Sequence, residues 1–390
     1  MKGRFTVNPF KELDLTAADV EGLRELVVNK LQSTLDEYEK LLRSGSMKVD
    51  QNKWKPVKHK DDTVVYSDRH FSSTSSTSGP RYPALLMVGR QTAVLEDLMF
   101  GVCNPTLEIM RIKASYVDDM SGAAVLATLA EPTYDDPFQS LVVKWMELDI
   151  PFHSTNLVSN RDYIYVEATG MVRMSNGERA GYHILHSVNF PETHELPHRV
   201  RASMSVCGIF RQLRDSRLET YATGLLDPGG DMIRSFVISS MSNTFMSSLK
   251  YADCGQMRKL AWMLDKRYAD SKGHGTPNPE RVCVTCSAPI TGRKLGDFGK
   301  SSSSCRLCFG YVCGGCKIQK KLSFTSADLL LSQRNVTFCA VCLKETMRMS
   351  ASDVARALLV QQTHGHLAAE AHLHTVSDAT TLSQASFVSN

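Results

Sequence analysis

Apolar residues recur at helical spacing from the first amphipathic segment of the chain. Val20, Leu23, Val27, Leu31, Leu35, Tyr38 and Leu42 make one face, as an α-helix packed on one side requires. Thr16 with Asp19 three residues on resembles a capping box, and Gly45 is placed to stop the helix. Residues 53–68 read as extended, with Thr63, Val64, Val65 and Tyr66 rich in β-formers. The pattern turns helical again over Thr92 to Phe100 and over Pro105 to Ile112. Strand signals then cluster: Arg161 to Gly170, the turn Ser175-Asn176-Gly177, and a return over Gly181 to Phe190. Val200, Ala202, Met204 and Val206 alternate with Arg199, Arg201, Ser203 and Ser205, which predicts a sheet with one wet face. Arg217 to Gly224 alternates too. After the break at Asp227-Pro228-Gly229-Gly230, the residues Ile233, Phe236, Val237, Met241, Phe245 and Leu249 form an apolar helical stripe.

Composition narrows the class. At 390 residues there is room for two or three domains. The apolar share of 42% and charged share of 22% are those of an ordinary globular protein. A net charge of +4 makes no general case for nucleic acid. No apolar run approaches 18 residues, and the opening MKGRFTVNPFKELD lacks a secretory apolar stretch, so a cytoplasmic protein is expected. Ser72 to Ser78 reads as a solvated loop, Ser271 to Pro279 as a linker, and the chain from about Thr363 as a disordered tail.

The chemistry is concentrated in the last third. Four C-x-x-C pairs occur, Cys283/Cys286, Cys305/Cys308, Cys313/Cys316 and Cys339/Cys342, separated by 18, 4 and 22 residues. Eight thiolates suffice for two closed tetrahedral zinc sites, which leave no position for water and are therefore structural. The four-residue gap between the middle pairs leaves no room for sequential knuckles, whereas interleaving does. That assigns Cys283, Cys286, Cys313 and Cys316 to one zinc and Cys305, Cys308, Cys339 and Cys342 to the other. Cys103, Cys207 and Cys254 are scattered and read as core thiols.

Cys305-Arg306-Leu307-Cys308-Phe309-Gly310-Tyr311-Val312-Cys313-Gly314-Gly315-Cys316 resembles the core of a FYVE zinc finger, with the glycine one residue late. A RING finger shares the cross-brace, but no histidine lies between Cys283 and Cys342. The FYVE resemblance implies a lipid-facing basic run ahead of the third cysteine. Here Ser301 to Ser304 stand in its place, only Arg306 survives as a lipid-contact residue, and the W-x-x-D of Trp262 and Asp265 lies too far upstream. Charge for a dianionic headgroup is missing. The resemblance therefore implies weak contact with anionic membranes, endosomal ones in particular.

Upstream, Lys144-Trp145, Arg161-Asp162-Tyr163, Ser187-Val188-Asn189-Phe190-Pro191 and Gly224 to Gly230 occur in an order similar to a START lipid-transfer domain. The resemblance implies an α+β helix-grip fold, a curved antiparallel sheet wrapping a long C-terminal helix around an apolar ligand. Phe236, Met241 and Phe245 on the closing helix are the expected lipid contacts, with Met204 and Met246 beside them. The expected organisation is an extension at 1–13, a START-like domain at 14–251, a linker at 252–280, a FYVE-like finger at 281–348, a short helix at 349–362 and a tail at 363–390. No G-x-S-x-G, phosphate-cradling glycine loop or open metal site occurs, so a non-enzymatic protein is expected. It would hold a lipid or other apolar small molecule together with two zinc ions. A cargo-free interaction adaptor is the alternative, and a RING-type ubiquitin ligase a weaker one.

Overall fold

Among the described residues, eleven strands build one sheet, in the order β1-β5-β6-β7-β8-β10-β11-β4-β3-β2, with β9 paired to β7. The structure is a computed structural model. It describes residues 6–45, 47–70, 82–117, 120–148, 159–214, 216–230, 234–274, 280–290, 303–326 and 328–362. The Ser/Thr loop, the tail with its histidines and part of the expected linker lie outside the described residues. The strands are β1 (Thr6–Val7), β2 (Trp54–Lys60), β3 (Thr63–Asp68), β4 (Leu85–Thr92), β5 (Met120–Ala130) and β6 (Ser140–Leu148). They continue with β7 (Asn160–Arg173), β8 (Arg179–Ser187), β9 (Arg199–Arg201), β10 (Ser203–Gln212) and β11 (Arg217–Asp227). All pairings are antiparallel except β1 with β5 and β7 with β9. Three register shifts between β5 and β6 bend that edge.

Helix α1 (Ala17–Arg43) covers one face of the sheet. Thr16 caps it through Asp19 in both directions, as the sequence pattern predicts, and Gly45 takes a φ of +78° just beyond. Leu23, Val27, Leu35 and Tyr38 pack there with Val143, Trp145, Ile164, Val166 and Ile209. The other face is covered by α2 (Leu95–Val102), α3 (Leu107–Val117), α4 (Arg234–Ser247) and α5 (Tyr251–His274). This is the α+β arrangement with a long helical C-terminal closure that the START resemblance implies.

Two expectations are corrected. Arg199 to Ser205 is not one wet-faced strand: β9 leaves the meander to pair with β7, and Arg201 is engaged by the buried carboxylate of Asp162. The linker expected at 252–280 is instead the α5 helix up to His274. Its first half has no amphipathic stripe because it is buried on several sides, with Cys254, Lys259 and Leu260 all inside. Gly255 and Gly101 let α5 and α2 touch backbone to backbone. A Cβ on Gly255 would sit 1.9 Å from the Asp97 carbonyl oxygen, and one on Gly101 1.8 Å from that of Tyr251.

The cysteine-rich module carries two small antiparallel pairs. These are β12 (Ser303–Ser304) with β13 (Tyr311–Val312), and β14 (Ile318–Thr325) with β15 (Leu331–Phe338). α6 (Ala340–Arg348) follows, and α7 spans 351–362. Among the described residues no helix is long and apolar enough to cross a membrane.

Candidate functional site: a lined cavity and two cysteine tetrads

Between the sheet and the α3–α4–α5 layer lies a cavity of about 180 Å³. Its apolar wall is built from Met110, Met120, Met146, Leu185, Met204 and Leu226. Unbranched Met side chains suit a wall that must fit a variable shape. Phe236 lines this cavity. Met241 and Phe245 line a smaller neighbouring one of about 50 Å³, and Met204 is common to both. Met246 is spent on core packing around Val65 and Leu85. Arg306 lines neither cavity; it sits in the cysteine module, where its backbone N–H donates to the Thr337 carbonyl.

The polar end of the cavity is a buried charge network. Lys144 is 0% exposed, and its ammonium donates to Glu167 Oε2 at 2.6 Å, Asn104 O at 2.6 Å and Asn104 Oδ1 at 2.5 Å. Lys113 Nζ reaches Glu167 Oε1 at 3.1 Å and lies 5.2 Å from the centre of the Tyr251 ring. His183 Nε2 is 2.7 Å from the same carboxylate oxygen. Burial opposes ionisation of Glu167, but Lys113 and Lys144 outweigh it and hold the carboxyl well below its usual range. Burial and then Lys113 push His183 down, so the imidazole is neutral at pH 7. Burial pushes Lys144 down as well, and Glu167 opposes that shift. The cluster thus gathers two lysines and a histidine on one carboxylate.

These residues escape a reading by motif. Lys144-Trp145 and Arg161-Asp162-Tyr163 look like strand residues of structural weight, and histidines in sheets are mostly satisfied. His183 is indeed satisfied, by Glu167. The available signal was parity: Arg161, Tyr163, Tyr165 and Glu167 alternate along β7 and share a face, and that face is buried.

In the second module the eight cysteines gather into two groups. Cys283, Cys286, Cys313 and Cys316 form one, and Cys305, Cys308, Cys339 and Cys342 the other, with all sulfur atoms of a group within 4.8 Å of one another. This is the interleaved grouping. Four sulfurs about 2.3 Å from a tetrahedral zinc are about 3.8 Å apart. Cys286 and Cys313 sulfurs are 3.8 Å apart, and Cys308 and Cys339 sulfurs 4.0 Å, so the donor sets fit zinc in chemistry and spacing. Each could hold one ion. Backbone N–H groups of Cys313 and Cys342 point at the sulfurs of Cys283 and Cys339, at 3.4 Å in both cases. The displaced glycine also has a reason. Phe309 takes the left-handed turn (φ 60°), and Gly310 is kept small by Val284, whose Cγ1 would lie 2.3 Å from a Cβ there.

The two sites share structure. α3 presents Met110, Lys113 and Ala114 to the cavity. Its neighbouring residues Ser115 and Tyr116 bond to β14: Ser115 Oγ to Ser323 Oγ at 2.7 Å, and Tyr116 OH accepting from the Ser323 N–H at 2.7 Å. Lys259 of α5 pairs with Asp97 of α2 at 2.6 Å and donates to the Met347 and Met349 carbonyls at 3.0 Å. Met257 and Leu260 pack with Leu307, Val312, Leu322 and Phe338 of the cysteine module. Trp262 is buried against 351–355 rather than poised at a lipid surface.

Neither a sequence family nor any curated protein matches this chain. Among solved structures, it is similar to human StAR-related lipid transfer protein 5 at 17% identity. That likeness covers 58% of this chain and 97% of that one, with a TM-score of 0.39. It is similar to human STARD10 at 12% identity, covering 62% and 82%, with a TM-score of 0.37. The STAR-related lipid transfer protein (fragment 25-204) from Xanthomonas axonopodis shares 17% identity over 51% of this chain and 96% of that one, with a TM-score of 0.35. These likenesses are distant, and the architecture above stands on its own strand order and helix placement.

Proposed function

We propose that this protein holds a lipid or comparable apolar molecule in a START-like domain, and that a FYVE-like module with two structural zinc ions braces that domain. The observation that carries the reading is the Met-lined cavity between sheet and closing helices, with a built polar end. A filled core would have no reason to keep Lys144 and Glu167 inside, since a buried ion pair is often no better than apolar packing. Interleaved tetrads support the FYVE-type reading of the module over sequential knuckles. No catalytic role is assigned to either site; both are read as binding sites. Native mass spectrometry of the full chain should show two zinc ions and a releasable lipid-sized adduct. Two zinc ions with no adduct after purification, and none on incubation with lipid extract, would turn the reading to an interaction adaptor.

Membrane contact follows from the same module. Ser303 and Ser304 are half-buried and paired with Val312 and Tyr311, so the place of the family's basic run is filled by strand. Lys317, Lys320 and Lys321 leave a basic rim on the module, suited to anionic surfaces in general, including cytoplasmic endosomal membranes. Flotation with anionic vesicles should show weak, salt-sensitive binding without preference for phosphatidylinositol 3-phosphate. Headgroup-selective binding that survives high salt would refute this.

A further inference from the structure

Every second residue of β7 from Arg161 to Glu167 lines the cavity, giving the series Arg161, Tyr163, Tyr165, Glu167. The six steps from Arg161 to Glu167 span roughly 20 Å. The two ends differ in how their charge is met. At the inner end Glu167 is saturated by Lys113, Lys144 and His183. At the outer end Arg161 is only 5% exposed, and no carboxylate faces it among the described residues. Its Nε donates to the Pro228 carbonyl at 3.0 Å and its Nη1 to the Ser159 carbonyl, while Nη2 has no partner among the described residues. By contrast Arg199 pairs with Glu147, Arg201 with Asp162, and Arg211 with Glu178 and Glu219. Between the two ends, Tyr163 and Tyr165 are 4% and 2% exposed. Both line the cavity, and no hydrogen bond joins either hydroxyl to another of the described residues. A buried guanidinium without an acid, followed by two such hydroxyls on the same face, is a row of donors lacking an acceptor.

We infer that the cavity takes a single-chain amphiphile with an anionic head. The acid, a carboxylate or a phosphomonoester, lies against Arg161. The head's adjoining oxygens accept from Tyr163 and Tyr165, and the hydrocarbon runs along Met110, Met120, Met146 and Met204. Size argues for one chain: about 180 Å³ is below the roughly 300–1,000 Å³ usual for ligand pockets. Charge argues for the acid, since Lys113 and Arg161 line the cavity and Glu167 is the one carboxylate lining it among the described residues. This inference rests on the lipid-holding reading above and adds the ligand class to it.

The test is a competition assay on the full-length, zinc-loaded protein. It uses palmitate, 1-palmitoyl lysophosphatidate and neutral 1-palmitoylglycerol against a fluorescent fatty-acid probe. At least one acid is expected to bind roughly tenfold to a hundredfold more tightly than the neutral lipid, the range of one charge-assisted contact. The tighter of the two acids identifies the head as carboxylate or phosphate. Arg161→Gln should erase the preference for the acids over 1-palmitoylglycerol, and Arg161→Lys should retain part of it. Tyr163→Phe combined with Tyr165→Phe should weaken the acids severalfold. Equal binding of acid and neutral lipids, or a preference that survives Arg161→Gln, overturns the inference while leaving lipid binding intact. Binding of none of the three overturns the lipid-holding reading itself. If Arg161→Gln fails to fold, the ranking of the three ligands by the native protein decides.

Discussion

Cys305→Ser is expected to release one of two zinc ions and to unfold the cysteine-rich module while the sheet remains. Cys305 is fully buried within its tetrad, and the module around it has few apolar residues of its own: Leu307, Val312, Leu322 and Phe338 form most of its interior. A core that small cannot offset the entropy of ordering the segment. Structural zinc binding in modules of this size is worth about 10–16 kcal/mol at pH 7, so the metal stabilises the module more than its apolar contacts do. Loss of the module would also strip Lys259 of two of its three partners and uncover Met257 and Leu260. Metal content by mass spectrometry, with circular dichroism of the same sample, reads the result. A variant that keeps two zinc ions would remove Cys305 from the ligand set.

The second large effect lies in the cavity. Glu167→Gln should lower stability by about 3–5 kcal/mol, the cost of breaking a buried ion pair and leaving its partner uncompensated. Lys144 is sealed from solvent and has no other carboxylate within salt-bridge distance among the described residues. The pH dependence follows from the same carboxyl. Its folded pKa is held well below the ordinary 4.5, so its stabilising contribution is complete above about pH 4.5. That contribution is lost as the pH falls below it, because the unfolded chain then binds a proton that the folded one resists. Denaturant midpoints of native and variant should therefore converge toward low pH. Parallel curves, or a variant as stable as the parent at pH 7, would show that the ionised Glu167 does not stabilise the fold.

Much of this fold is legible where local chemistry and tertiary packing agree. The Thr16–Asp19 capping box, the Gly177 turn and the C-x-x-C spacing are each dictated within a few residues, and the structure follows them. Legibility fails where burial comes from distant elements. The α5 helix hides because Lys259 and Gly255 interrupt any apolar stripe; they are explained only by α2 and by the module's last turn. Glu167 hides because a charge in a strand normally marks the wet face. Only the arrival of Lys113, Lys144 and His183 from three other elements makes it an interior residue. Phe236, Met241 and Phe245 were readable as inward residues, but which of two adjacent cavities each faces depends on packing that periodicity does not encode.

The Asp97–Lys259 pair has a bearing on how the chain is made. The ammonium of Lys259 is completed by carbonyls of residues 347 and 349, 88 and 90 positions later in the sequence. A nascent chain emerging amino-terminus first can lay down the whole sheet and still hold this crossing open. At about 5–20 residues per second, that interval lasts roughly five to twenty seconds. The sheet domain thus waits, with the cation at its helix crossing holding one of its three partners, until the last cysteine pair has left the ribosome and the zinc-bearing turn can close over it.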